Sequence, residues 1–197
     1  MEPLDEDPTM RALLDRYGPP DPLEPAENPY RELCVAVINQ GVSTASGRAV
    51  RERVVDALGG TITPGGLLAA DGDALRAAGL SERKLATLRA AARAFRADDY
   101  SAAGLGDRDD EAVIDLLTGI DGVGPWTARI YLLFGLGRED VLPLGDLAVR
   151  RSLEALYGAT TRAEMREVAE AWRPRRSYAT LLLWKQYEDD PAAPLAR

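Results

Sequence analysis

Apolar residues recur along almost the whole chain at the three- and four-residue spacing of amphipathic helices. In the segment that starts at Pro29, for example, Leu33, Cys34, Val37 and Ile38 fall on one helical face. No stretch alternates between apolar and polar residues over the length of a strand. We therefore expect an all-α fold with short connections and about ten helices.

Residues that favour helix ends mark the boundaries of these segments. Asp, Asn, Ser and Thr side chains cap helix N-termini, and glycine commonly follows the last turn. The predicted N-caps are Asp7, Asn28, Ser43, Thr63, Ser81, and Thr161, the last with Glu164 in a capping box. The glycines that should end helices are Gly18, Gly59, Gly79, Gly119 and Gly158.

The chain's 197 residues suffice for one substantial core or for two small lobes that share a cleft. An acidic N-terminal segment, residues 1–27, precedes a core of residues 28–197. The polar stretch 97–110 predicts a hinge. It would separate a middle helical lobe of about residues 40–105 from a second lobe made of residues 106–190 and the N-terminal helices.

Composition excludes several kinds of chemistry. The chain has no histidine and only one cysteine, Cys34, which excludes His-based triads, an internal disulfide and a four-cysteine zinc or iron–sulfur site. Catalysis must then use carboxylates, hydroxyls, Lys84 or Lys185. No signal peptide pattern and no long apolar run is visible, so we expect a cytoplasmic protein with no membrane partner.

The charge of the chain argues at first sight against a nucleic-acid partner. The net charge is −8 and the pI is about 4.7. The charge is uneven, however, because residues 120–186 carry ten Arg and Lys against eight Asp and Glu.

A glycine-rich hairpin between two predicted helices is the first candidate site. One helix should end near Thr118 and the next should begin near Pro125. Gly122 and Gly124 permit positive φ and close approach of another backbone. The free N–H groups at the start of the second helix would then form a phosphate site made of backbone. The alternative is a plain turn between two helices.

Asp146 is the second candidate. It follows a glycine and opens an amphipathic helix, so it could serve only as an N-cap. A carboxylate at such a point can also face a cleft while it caps.

Five stretches, in order, resemble the helix-hairpin-helix DNA glycosylase superfamily, and most closely its 3-methyladenine DNA glycosylase II branch. The main match is the Leu-x-x-Ile-x-Gly-Val-Gly-x-Trp-Thr-Ala hairpin, followed by a Pro-x-x-Asp helix start. The matching segments are 39–43, 79–84, 117–128, 143–146 and 172–184. The resemblance covers about residues 28 to 187.

The resemblance implies a DNA-binding hairpin. In this family the hairpin grips the DNA backbone, often with a monovalent cation, Na⁺ or K⁺, held by backbone carbonyls. By position these would be the carbonyls of Thr118, Ile120 and Val123. The implied DNA-binding residues are Gln40, Gly41, Ser43, Gly122, Gly124 and Thr127, the last through its hydroxyl. Further candidates for phosphate contacts are Arg150, Arg151, Arg175 and Arg176.

The resemblance also implies a reaction. The enzyme would flip an alkylated purine out of double-stranded DNA into a pocket lined by Trp126 and Trp184. Asp146 would stabilise the oxocarbenium-like sugar and position the attacking water. Bifunctional relatives have a lysine where this chain has Trp126, so a monofunctional, monomeric enzyme that needs no cofactor for its chemistry is expected.

Two positions depart from the family pattern. Gly41 stands where some relatives have a bulky apolar wedge, so we expect Gln40 or Val42 to fill the gap that the flipped base leaves. Ile130 replaces an aromatic pocket residue found in certain relatives. Two other functions stay open from the residues: a related glycosylase for deaminated or oxidised bases, and a non-catalytic helix-hairpin-helix DNA-binding module.

Overall fold

The computed structural model describes residues 2–189, and this part of the chain consists of helices and loops without a strand. The helices are α1 Pro8–Tyr17, α2 Pro29–Asn39, α3 Thr44–Ala57, α4 Pro64–Ala69, α5 Gly72–Ala77, α6 Glu82–Ala97, α7 Ala102–Leu105, α8 Asp110–Thr118, α9 Pro125–Phe134, α10 Leu147–Tyr157, α11 Arg162–Glu170 and α12 Arg176–Asp189. The all-α prediction is confirmed. The described residues form twelve helices rather than about ten, because the short α4, α5 and α7 have too few residues to show a clear periodicity.

The predicted N-caps are confirmed at all six positions. Each side chain accepts a hydrogen bond from a backbone N–H in the first turn of its helix. Thr161 and Glu164 form the reciprocal capping box. Capping needs only a side chain and N–H groups two or three residues away, so the local sequence is sufficient to specify it.

The chain folds into two compact units. The Asp146 unit comprises the residues up to Leu23 and those from Arg138 onward, and the hairpin unit is Glu24–Gly137. This division differs from the predicted lobes. Residues 106–137 belong with the middle helices, because α9 packs on α2 and α8. The predicted hinge, residues 97–110, contains α7 and lies inside the hairpin unit.

The Asp146 unit is built around α12, which packs against α1 and α10. Leu4, Met10 and Leu13 are fully buried in the same core as Trp172. The acidic N-terminal segment, predicted to precede the core, therefore contributes apolar side chains to it up to Leu23.

The hairpin unit packs α2 against α3, α6 and α9. Phe95 on α6 stacks on Tyr100 and makes edge contacts with Tyr30 and Tyr131. In the part of the chain that the structure describes, no helix is long and apolar enough to cross a membrane.

Candidate active site and DNA-binding hairpin

The hairpin lies between the end of α8 at Thr118 and the start of α9 at Pro125, as predicted. Gly122 adopts a φ of +86°, and a Cβ built there would lie 1.9 Å from the Thr87 hydroxyl oxygen on α6. Glycine is therefore required at 122 twice over, for its backbone conformation and for the close approach to α6.

Gly124 has a different role from the one expected. Its φ of −98° and ψ of 173° are extended backbone that any residue adopts, so the expectation of positive φ is wrong here. Gly124 is the N-cap of α9 but provides no side-chain cap, and a Cβ built on it would meet nothing within 4 Å. The first turn of α9 therefore has no capping side chain over its N–H groups, which lie at the positive end of the helix dipole.

The turn after α2 is bonded to the hairpin. The Gln40 amide nitrogen donates to the Thr127 hydroxyl at 2.7 Å and more weakly to the Gly122 carbonyl at 3.4 Å. Thr127 is only 1% exposed. Its hydroxyl is thus directed into the protein, which contradicts the expected phosphate contact, and it ties two predicted DNA-binding segments together.

The remaining residues of this turn are on the surface. Gly41 has a φ of +65°, Val42 is 42% exposed, and Ser43 caps α3 through the Ser46 N–H. Since the Gln40 side chain is engaged by the hairpin, Val42 is the neighbour of Gly41 that presents an apolar side chain to solvent.

Lys84 supports the same turn from α6. Its ammonium donates to the Ile38 carbonyl at 2.7 Å, near the end of α2. Partial burial lowers the pKa of the Lys84 ammonium. The sequence singled out Lys84 through its motif but gave no sign of this contact, because Ile38 lies 46 residues away.

Asp146 is the N-cap of α10. Its Oδ1 accepts the Val149 N–H at 3.1 Å and the Trp184 indole N–H at 3.2 Å. The loop before it is also held, since the Asp146 N–H donates to the Pro143 carbonyl at 2.8 Å and Arg150 donates to the Leu144 carbonyl at 3.0 Å. Both expected properties of Asp146, the cap and its proximity to a predicted pocket tryptophan, occur together.

Trp126 belongs to the hairpin unit. It is the second residue of α9 and is partly buried, and Ile130 follows one turn later with 8% exposure. Of the two predicted pocket tryptophans, Trp184 is the one that the structure brings to Asp146.

The arginines suggested for phosphate contacts are engaged within the protein. The contacts are Arg150 with the Leu144 carbonyl, Arg151 with Glu154 at 3.0 Å, Arg175 with Glu139, and Arg176 with Asp140 at 2.6 Å. Arg173 also pairs with Asp140, at 2.6 Å. A broad arginine surface for DNA is therefore not what these side chains form.

The carbonyls expected to hold a cation lie in the hairpin turn. The Ile120 carbonyl accepts the Val123 N–H at 3.0 Å, which uses one of its two lone pairs. Within residues 2–189, no cluster of three or more cysteine and carboxylate side chains could hold a metal ion.

The chain is similar to known DNA repair proteins over most of its length. A family model described as the HhH-GPD superfamily base excision DNA repair protein matches residues 34–174. DNA-3-methyladenine glycosylase 1 of Schizosaccharomyces pombe is 32% identical over 179 residues, which cover 88% of this chain and 78% of that protein. DNA-3-methyladenine glycosylase 2 of Escherichia coli is 30% identical over 159 residues, which cover 76% and 54%.

Solved structures agree with these relatives. The Schizosaccharomyces pombe 3-methyladenine DNA glycosylase in complex with abasic DNA matches with a TM-score of 0.83 and 27% identity, over 96% of each chain. The 3-methyladenine DNA glycosylase of Archaeoglobus fulgidus matches with a TM-score of 0.78 and 26% identity, over 95% of this chain and 67% of that one. The chain therefore belongs to the HhH-GPD superfamily of base excision DNA repair proteins.

Proposed function

We propose that this protein is a monofunctional DNA glycosylase that hydrolyses the N-glycosidic bond of alkylated purines in double-stranded DNA. The observation that carries the proposal is the Asp146 carboxylate, which is fixed at the start of α10 by two N–H donors. The similarity to proteins named DNA-3-methyladenine glycosylase supports the substrate class. A non-catalytic DNA-binding module would have no use for a carboxylate held in this way.

The chemistry suits a chain without histidine. A 3-methyladenine or 7-methylguanine base in DNA carries a positive charge and leaves as a neutral purine when the bond from C1′ breaks and its electron pair moves to the base. The sugar develops positive charge, which the Asp146 carboxylate stabilises electrostatically. Water then attacks C1′, its proton passes to the carboxylate or to solvent, and an abasic site remains.

The absence of an amine nucleophile after the hairpin supports a monofunctional reaction. Trp126 occupies that position, and the Lys84 ammonium is bonded to the Ile38 carbonyl. No covalent imine with the sugar should therefore form.

Binding of an acidic protein to DNA requires a local site. The backbone N–H groups at the start of α9 offer one that needs no basic side chain. We propose that Gln40, Gly41, Ser43, Gly122 and Gly124 shape this surface. The carbonyls of Thr118, Ile120 and Val123 are uncharged oxygens suited to Na⁺ or K⁺, which would add positive charge at the phosphate.

The test is base release from duplexes that contain 3-methyladenine, 7-methylguanine, ethenoadenine or hypoxanthine. Asp146→Asn keeps the size, the cap and an oxygen that accepts both N–H groups, but it removes the charge. We expect base release to fall by orders of magnitude while affinity for abasic-site DNA persists. Near-normal excision by this variant would refute the mechanism.

Borohydride treatment during turnover tests the monofunctional reaction. We expect no trapped enzyme–DNA adduct with the wild-type protein. A lesion-dependent adduct would contradict the proposal and point to an amine such as Lys84. A monomeric state and a cytoplasmic location remain predictions from the sequence.

A further inference from the structure

Resting on the proposed function, we propose that Trp184 is a positioning residue, whose indole N–H holds the Asp146 carboxylate in the orientation that the reaction uses. The expected role for Trp184 was a wall of the base pocket, where only its aromatic face would matter. The geometry points instead to its nitrogen, which lies 3.2 Å from Asp146 Oδ1.

The register between α10 and α12 places the two residues together. The Ser152 hydroxyl, which is buried, donates to the Leu183 carbonyl at 2.9 Å. Leu183 directly precedes Trp184, and Ser152 lies on the helix that Asp146 caps. The bond therefore fixes α12 along α10 at the height where the indole reaches the carboxylate.

The indole itself is held by packing. Trp184 is partly buried against the apolar core of the Asp146 unit. A tryptophan side chain has only two rotatable bonds, so packing of its ring also fixes the direction of its N–H. An immobilised donor can orient a carboxylate, whereas a mobile one would follow it.

Two donors on one oxygen restrict the carboxylate more than a cap alone. The Val149 N–H approaches Oδ1 from α10 and the Trp184 N–H approaches it from α12. Together they limit rotation about the Cβ–Cγ bond. The negative charge is then oriented before DNA arrives, which is the condition for electrostatic stabilisation of a transition state without reorganisation.

Trp184→Phe tests the role of the nitrogen. The substitution keeps an aromatic ring for packing and for stacking on a base, but it removes the N–H. We expect the single-turnover rate of 7-methylguanine release to fall roughly tenfold, the size expected for losing a hydrogen bond to a charged group. Affinity for abasic-site DNA should stay within about twofold, because the contact acts on the carboxylate and not on DNA binding.

A tryptophan analogue guards against a change in packing. Replacement of Trp184 by 3-benzothienylalanine substitutes sulfur for the indole N–H in a ring of nearly the same shape. This variant should lose as much rate as Trp184→Phe. A wild-type rate with the analogue would overturn the inference, even if the phenylalanine variant were poorly folded.

Trp172→Phe is the matched control. The Trp172 indole N–H donates to an Asp7 carboxylate oxygen at 3.0 Å, also in the Asp146 unit. The same chemical change there should lower the melting temperature and leave the rate of base release by folded protein unchanged. A slowed reaction in this control would mean that general loosening of the unit, and not positioning of Asp146, explains the effect.

A double-mutant cycle separates positioning from stacking. In the Asp146→Asn background, Trp184→Phe should change the residual rate by less than about twofold, because no charge is left to orient. An equal loss in both backgrounds would overturn the inference in favour of stacking on the base.

The outcomes also separate this inference from the proposed function. Inactive Asp146→Asn together with fully active Trp184→Phe would overturn only the positioning role. Fully active Asp146→Asn would overturn the catalytic mechanism itself.

Discussion

Replacement of Asp7 by alanine should destabilise the Asp146 unit more than loss of an ordinary helix cap. The Asp7 carboxylate accepts the backbone N–H groups of Thr9 and Met10 at 2.9 and 3.1 Å. It also accepts the Trp172 indole N–H at 3.0 Å and the Tyr157 hydroxyl at 3.1 Å. One side chain therefore caps α1 and joins the N-terminal segment to the core that contains α12.

The magnitude follows from these contacts. Loss of the cap costs about 1 kcal/mol. Trp172 is fully buried, and a buried donor left without its acceptor costs about 1–3 kcal/mol. Burial, and then the charge of Asp7, raise the pKa of Tyr157, so this hydroxyl stays protonated and loses its acceptor as well. Because these groups share one carboxylate and are not additive, we expect a total of about 3 kcal/mol.

Thermal and urea denaturation followed by circular dichroism measure this loss. At about 2–4 °C per kcal/mol for a chain of this size, the melting temperature should fall by roughly 6–12 °C. Asp7→Asn should recover only the cap, because its amide nitrogen would face the Trp172 donor. Asp109→Ala is the control, since Asp109 caps α8 through a single contact with the Ala112 N–H. If Asp7→Ala costs no more than Asp109→Ala, the reasoning about Trp172 is wrong.

Two further predictions concern the hairpin unit. Val42→Ala should weaken binding to abasic-site DNA several-fold in an anisotropy titration, because Val42 is the exposed apolar side chain beside Gly41; Ala45→Ser is the control, and unchanged affinity would mean that the gap is filled from elsewhere. Gly41→Leu should lose about 1–2 kcal/mol of stability, because φ is +65° there. Burial raises the pKa of the Cys34 thiol to about 12, so it should resist a disulfide reagent at pH 8 until urea unfolds the protein. The unfolded thiol ionises first, so the free energy of unfolding should fall as the pH rises from about 9 toward 12, and rapid labelling of native protein would contradict this prediction.

The local features of this protein were determined by its sequence. Asp146 at the start of α10, the capping box at Thr161 and the hairpin between Thr118 and Pro125 all depend on residues within a few positions of one another. Side chains at such short separations meet whatever the rest of the fold does, because helix geometry brings them together. The periodicity of apolar residues was equally sufficient for the all-α class.

Only the tertiary structure decided how these local features combine. Thr127 has a hydroxyl that could face solvent or protein, and the packing of α2 on α9 directs it to Gln40. Trp184 and Asp146 are separated by 38 residues, and their hydrogen bond depends on the register of α10 against α12. A helical pattern tells which face of a helix is buried, but it contains no information about which other helix covers that face or at what height. For that reason the sequence identified the carboxylate, and the packing of two distant helices determined how it is held.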